Sequence, residues 1–211
     1  KQMSSALNTQ GVSFYFKGKY SKALDYYTKS LKISEEIGDK KGIASSLINI
    51  GVIYRVQGDL AKALDYYTKS LKICEEIGDE KGIPMVLNNI GNIYNDQGHN
   101  VKAIDYYSRC LKICEEIGDK KGIATSLISI GLIYADQGDF AKAIDYFAKS
   151  LKISEEIGYK KGIATSLNNI GLIYDDQGDY EKAIEYYTKS LKISEEIEDK
   201  QGIAASLTNI G

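Results

Sequence analysis

The chain has 211 residues, with 27 Lys and Arg against 29 Asp and Glu, a formal net charge of −2, seventeen Tyr, one Pro and no Trp. With no basic block in that balance, a dedicated nucleic-acid surface is excluded, because such a surface needs a basic patch or stripe. No apolar run approaches the roughly 18–20 residues that span a bilayer, and no secretory signal opens the chain, so a cytoplasmic protein is expected.

Taken in order, the chain repeats itself. Gly11 recurs as Gly51, Gly91, Gly131, Gly171 and Gly211, and Gly18 as Gly58, Gly98, Gly138 and Gly178, so the period is forty residues without insertion or deletion. A unit of this size cannot bury its apolar face alone, and an unbroken array therefore means stacked copies sharing one core. The expected architecture is an all-α, right-handed superhelical solenoid of antiparallel helix pairs. Its repeats are about 1–38, 39–78, 79–118, 119–158 and 159–198, with a truncated sixth at 199–211. The chain opens at Lys1 rather than Met and stops inside the sixth unit's first helix, which reads as part of a longer protein. The cut is expected to leave Ile203, Leu207 and Ile210 uncovered.

The second repeat serves as the template. Ile43, Leu47, Ile50, Gly51 and Tyr54 fall on one stripe of a 3.6-residue period, predicting a first helix from about Lys40 to Gln57 with Asp39 as its N-cap. Gly58-Asp59 ends it, because Gly accepts the left-handed conformation of a helix stop. A second helix follows from about Leu60 to Ile77, with Ala63, Leu64, Tyr67, Ser70, Leu71, Cys74 and Ile77 facing inward. Asp65 precedes Lys69 by four residues, the favourable order for a helical ion pair. The pattern returns as Asp25/Lys29, Asp105/Arg109, Asp145/Lys149 and Glu185/Lys189. In the third repeat Pro84 delays the first helix to near Gly82 or Ile83. Glu198 replaces the Gly of the other inter-repeat turns, which predicts a tighter or more helical last turn.

Three Cys are present, and Ser fills the equivalent places elsewhere: Cys74 and Cys114 match Ser34, Ser154 and Ser194, while Cys110 matches Ser30, Ser70, Ser150 and Ser190. Cys110 and Cys114 are one turn apart, a spacing open to a redox or metal role. Because Ser substitutes freely, the expectation is half-buried thiols in a reducing compartment. His99, the single histidine, gives no metal-ligand spacing. With no Gly-rich phosphate loop and no nucleophile beside a base, neither an enzyme nor a cofactor site is expected. The Tyr pairs (Tyr66-Tyr67 and its copies) invite comparison with a base-stacking ladder, but core packing accounts for them more simply.

The informative surface is the face of the first helix opposite its core stripe. With Leu47 at zero and about 100° per residue, Ser45, Asn49, Val52 and Val56 all lie between roughly 140° and 200°. One level along the array reads Thr9, Asn49, Asn89, Ser129, Asn169 and Asn209. The next reads Val12, Val52, Asn92, Leu132 and Leu172. A row of aliphatic groups beside amides, lacking Lys and Glu, is what a groove presents. Each amide carries one acceptor and two donors, so it can hold a ligand's main chain whatever the ligand's sequence. A further level reads Phe16, Val56, Asp96, Asp136 and Asp176, apolar early and acidic late, with Asp175 adding to the acidic end and Arg55 opposing it. Asn88, Asn89, Asn92, Asn95 and Asp96 make the third repeat the most polar, and Asn168 joins Asn169 in the fifth. The ligand expected is an extended peptide, apolar over repeats one and two and basic over three to five. A clamp for a terminal carboxylate is disfavoured, since this row lacks its Lys and Arg.

Leu47-x-x-Ile50-Gly51-x-x-Tyr54 followed by Ala63-x-x-x-Tyr67 resembles the tetratricopeptide signature, with Leu in place of its Trp. The period is forty rather than thirty-four, and Glu75 stands where the usual Pro closes the unit. Both departures fit helices extended by about a turn, as in LGN/Pins polarity scaffolds, kinesin light chains and bacterial Rap-type receptors. The resemblance implies a non-catalytic scaffold for protein or peptide partners, with neither nucleic acid nor membrane involved. It also implies that an Asn at the level of Asn49, Asn89 and Asn169 holds peptide backbone; Thr9 and Ser129 interrupt that ladder. The alternative it leaves open is a regulatory or self-association segment of a larger bacterial signalling protein carrying a kinase, cyclase or transcription regulator, with head-to-tail contacts through the last helix.

Overall fold

The computed structural model describes residues 1–211. Eleven α-helices and no strand make up the chain. The first helices of successive repeats are α1 (Gln2–Phe16), α3 (Lys40–Val56), α5 (Gly82–Asp96), α7 (Lys120–Asp136), α9 (Lys160–Asp176) and α11 (Lys200–Ile210). The second helices are α2 (Tyr20–Glu36), α4 (Leu60–Glu76), α6 (Asn100–Glu116), α8 (Phe140–Glu156) and α10 (Tyr180–Glu196). The chain forms two compact units, Lys1–Tyr106 and Tyr107–Gly211, that divide within α6.

Two kinds of glycine set the hairpin. Gly58 ends α3 at φ +80°, the left-handed conformation that costs a residue with a Cβ about 1–2 kcal/mol. There its N–H donates to the Arg55 carbonyl at 3.0 Å and the next N–H to that of Tyr54 at 2.9 Å, closing the helix end. Gly51 serves a different purpose. A Cβ on it would sit 2.5 Å from Cε1 of Tyr67, so the missing side chain lets the α4 ring lie against the α3 backbone. Gly11 with Tyr27, Gly131 with Phe147 and Gly171 with Tyr187 repeat the contact.

From α1 to α5 and from α7 to α11 each helix packs on its sequence neighbour, and first helices also touch first helices: α1 with α3, α7 with α9, α9 with α11. The second helices of successive repeats make no comparable contact. First helices therefore lie on the inner side of each unit's local curve. Serines stitch the joints: Ser46 of α3 donates to Ser30 of α2 at 3.1 Å, and Ser30 donates to the Ser4 carbonyl of α1 at 2.8 Å. Ser166, Ser150 and the Ala124 carbonyl form the same relay at 3.1 and 2.9 Å. These bonds let small polar groups be buried without an orphaned donor.

The Asp65–Lys69, Asp145–Lys149 and Glu185–Lys189 ion pairs form at 2.6 Å and Asp25–Lys29 at 2.7 Å. With Pro84 at its third position, α5 begins at Gly82, two residues later than its counterparts. Three expectations are corrected. Glu198 does not tighten its turn; it adopts φ 54°, the conformation of the glycines it replaces, because the neighbouring helices fix the turn. Asp39 occupies the N-cap position without a capping hydrogen bond and lies 3.6 Å from the Lys1 ammonium instead, whereas Asp119 accepts from the Gly122 N–H. The three thiols are fully rather than half buried, and burial raises their pKa, that of Cys114 to about 12. Such thiols are poor nucleophiles.

Candidate functional site

In the first unit the inner face comes from α1, α3 and α5. Phe16 (81 % exposed) and Val56 (45 %) open to solvent, Val12 is also exposed, and Val52 is half-buried. Asn8, Thr9 and Val12 of α1 and Ser45 and Asn49 of α3 line a cleft of about 870 Å³. The amides are not equivalent. Asn49 donates its side-chain N–H to Oδ1 of Asn8 at 3.5 Å, and Asn8 donates onward to Oγ of Ser46 at 3.3 Å. Asn89 makes no such bond: the residue placed as Asn8 is to Asn49, forty-one positions earlier, is Ile48. Oδ1 of Asn88 is buried without a partner. Asn92 and Asn95 are half-buried beside it in sequence on α5. Arg55 of α3 reaches Asp96 of α5 with one guanidinium edge, donating from Nε to Oδ2 at 2.7 Å and from Nη2 to Oδ1 at 3.3 Å. The first member of the expected acidic row is thereby neutralised from within.

In the second unit α7, α9 and α11 supply the same face. Leu132 (39 % exposed) and Leu172 (36 %) form the aliphatic row, with Ser129 half-buried beside them. Asn209 donates to Oδ1 of Asn168 at 3.2 Å, the counterpart of Asn49 on Asn8. Asn169 is 8 % exposed and, like Asn89, makes no side-chain hydrogen bond, since Ile128 occupies the earlier position. Asp136, Asp175 and Asp176 are exposed, and neither Asp136 nor Asp176 is engaged in an ion pair. Beneath the last two lies Tyr187, whose hydroxyl is buried with no partner; burial first, and the charges of Asp175 and Asp176 second, raise its pKa to about 12. Each unit's inner face thus combines open aliphatic groups with one amide of the row tied to a neighbour and one without an internal partner, and in the second unit Asp136 and Asp176 are unpaired.

The Tyr pairs are accounted for by packing. Tyr66 stacks on Tyr54 at 5.5 Å and 10°, and the ammonium groups of Lys62 and Lys69 cover the rings' outer sides at 5.1 and 5.6 Å. The same sandwich recurs at Tyr134/Tyr146 and Tyr174/Tyr186, leaving no free face for a base. No group of three His, Cys, Asp or Glu side chains converges as a metal site would require. No helix is long and apolar enough to cross a membrane.

Sequence reasoning did not single out Asn8, nor the bonds that join Asn49 to Asn8 and Asn209 to Asn168. The signal was available: Asn8/Asn49, Asn168/Asn209 and Arg55/Asp96 are each separated by forty-one residues, one repeat plus one position, which is where first helices meet.

A helical-hairpin repeat protein with an open inner face is the class that fold and site define. A family model described as "Tetratricopeptide repeat" matches residues 2–76 and 82–156, and a second of the same description matches 164–196. The chain belongs to the tetratricopeptide repeat family. No curated protein matches it in sequence. Among solved structures it is similar to a Rap protein complexed with competence and sporulation factor (20 % identity, TM-score 0.83, covering 95 % of this chain and 56 % of that one). A signal transduction ATPase with a tetratricopeptide repeat sensor from Pyrococcus horikoshii gives 22 % identity and TM-score 0.78, covering 96 % of this chain and 32 % of that one. A putative kinesin light chain with nearly identical TPR-like repeats from Podosopora anserina gives 11 % and 0.72, covering 95 % and 99 %. At these identities the likeness concerns the fold.

Proposed function

We propose that this chain is a non-catalytic protein-interaction scaffold whose first-helix face receives an extended peptide. The observation that carries the reading is the pairing of open aliphatic side chains (Val56, Leu132, Leu172) with Asn89 and Asn169, amides that have no partner inside the protein. Unpartnered amides low in a groove gain from a ligand's main-chain N–H and C=O groups, while the aliphatic row takes its side chains. Asn49 spends one donor on Asn8, so the ladder has its strongest rungs in the third and fifth repeats. Val52, Asn92, Asn95 and Ser129 flank the rungs, and Asn88 offers a buried acceptor. The Rap structure is described as complexed with competence and sporulation factor, and that fold likeness supports a ligand-binding role here by analogy.

The test is fluorescence anisotropy with a pool of labelled apolar nonapeptides against the wild type and the Asn89→Ala/Asn169→Ala double variant. Losing two backbone-holding amides costs about 1–3 kcal/mol, roughly five- to 150-fold in affinity. Equal binding by both proteins removes the reading. Leu207 (54 % exposed) and Ile210 on α11 favour a second reading, in which the array contacts another copy or an output domain. Light scattering of the wild type and Leu207→Glu separates the two, because only self-association is lost in that variant.

A further inference from the structure

We infer that the notch between α3 and α5 is a pocket for a phenyl side chain of a bound ligand. This inference rests on reading the first-helix face as a peptide groove. The notch has a volume of about 170 Å³ and is lined by Ala44 and Ile48 of α3, Cys74 of α4 and Gly82 and Met85 of α5, together with Lys41 and Asp79. An apolar space of roughly 150 Å³ is enough to hold benzene. Ser45 also lines it, and Ser45 and Met85 share one repeat position, a turn before Asn49 and Asn89. Met85 is 56 % exposed, so the notch opens on the face along which the amides stand.

Comparison between joints shows what this notch is suited to. Between α9 and α11 the same notch has about 230 Å³, but Asn168, Ser194 and Ala205 stand where Ile48, Cys74 and Met85 stand here. Asn8 and Ser45 hold the places of Ile48 and Met85 in the cleft between α1 and α3. In no other joint of the array are all three positions apolar. A charged or amide side chain would lose its water against Ile48 and Cys74, whereas the polarizable sulfurs of Cys74 and Met85 attract an aromatic ring. The protein itself seats a ring at one joint. Tyr159 replaces the Asp of the other inter-repeat turns, and its ring lies 5.4 Å from the Lys121 ammonium. It also lies against Gly162, where a Cβ would stand 2.5 Å from its Cδ1. Lys121 and Gly162 hold the places of Lys41 and Gly82. At the α3–α5 joint the turn residue is the smaller Asp79, 3.8 Å from the Lys41 ammonium, which leaves the space to a ring from outside.

The probes are N-acetyl-phenylalanine amide and N-acetyl-alanine amide, titrated into the protein with the Met85 and Ala44 methyl groups followed by NMR. The phenylalanine amide is expected to bind about tenfold tighter, the scale of a partly buried phenyl group, and its ring current should move the Met85 methyl upfield. Asp79→Tyr should abolish that preference by placing before α5 the ring that Tyr159 places before α9, with circular dichroism confirming the fold. Met85→Ser, an exposed change to the residue found at position 45, should cut the preference to about threefold or less, read at the Ala44 methyl. Equal titration by the two amides, or an undiminished preference in either variant, overturns the proposal. If Asn89→Ala/Asn169→Ala leaves peptide binding unchanged while the phenylalanine preference persists, the groove reading falls and this pocket stands.

Discussion

Replacing Gly51 with Ala sets two effects of opposite sign against each other. On an exposed helix the change stabilises by about 1 kcal/mol, because Gly has more backbone freedom to lose. Here the new methyl group would lie 2.5 Å from Cε1 and 2.8 Å from Cδ1 of Tyr67, about 0.9 Å short of ordinary contact, which begins near 3.4 Å. Tyr67 is fully buried, so its ring cannot swing into solvent and the two helices must part. Overpacking of that kind costs about 1–3 kcal/mol and outweighs the propensity gain. The expected result is a net loss of about 1 kcal/mol in urea unfolding. The second substitution Tyr67→Leu should recover part of it, giving a favourable coupling of at least about 0.5 kcal/mol in a double-mutant cycle. If Gly51→Ala stabilises the protein, or if the two changes are additive, the close-approach argument is refuted.

Glu198→Gly should stabilise by about 1 kcal/mol, measured by thermal or urea unfolding, since it relieves a side chain held at φ 54°. Ser150→Ala and Ser154→Ala should differ although they are one turn apart. The first removes a buried relay and costs about 1–2 kcal/mol; the second removes a buried hydroxyl with no partner and is neutral or stabilising in the same assay. Asp139 caps α8 and its hydrogen bond from Lys142 holds its carboxyl below the ordinary value of 3.8. A lowered folded-state pKa means the stabilisation is whole above pH 3.8 and is lost as pH falls through the lower value, so the melting-temperature gap to Asp139→Ala should close in acid.

Helix positions were legible because apolar spacing and glycine stops recur in every repeat. The template helices end at Val56 and Glu76, one residue inside the ends read from the pattern. The delayed start of α5 followed from Pro84 alone. Contacts between repeats were harder to see. Nothing local to Arg55 tells that it spans to Asp96, or that Asn49 leans on Asn8; those bonds depend on how far α3 slides along its neighbours. Glu198 misled for a related reason: its own preference is overridden by the helices on either side. Of the aliphatic row read from helical position, Val12, Leu132 and Leu172 are exposed and Val52 is half-buried; Val56, one level further, is exposed as well.

Methyl-resolved NMR during titration with the apolar nonapeptide pool addresses the trough itself. Val56 in the first unit and Leu132 and Leu172 in the second should each shift and saturate, while Val101 on α6 and Ile184 on α10, which are more exposed to solvent, stay still. Shifts confined to Val101 and Ile184, or none at any of the three trough methyls, would contradict the account.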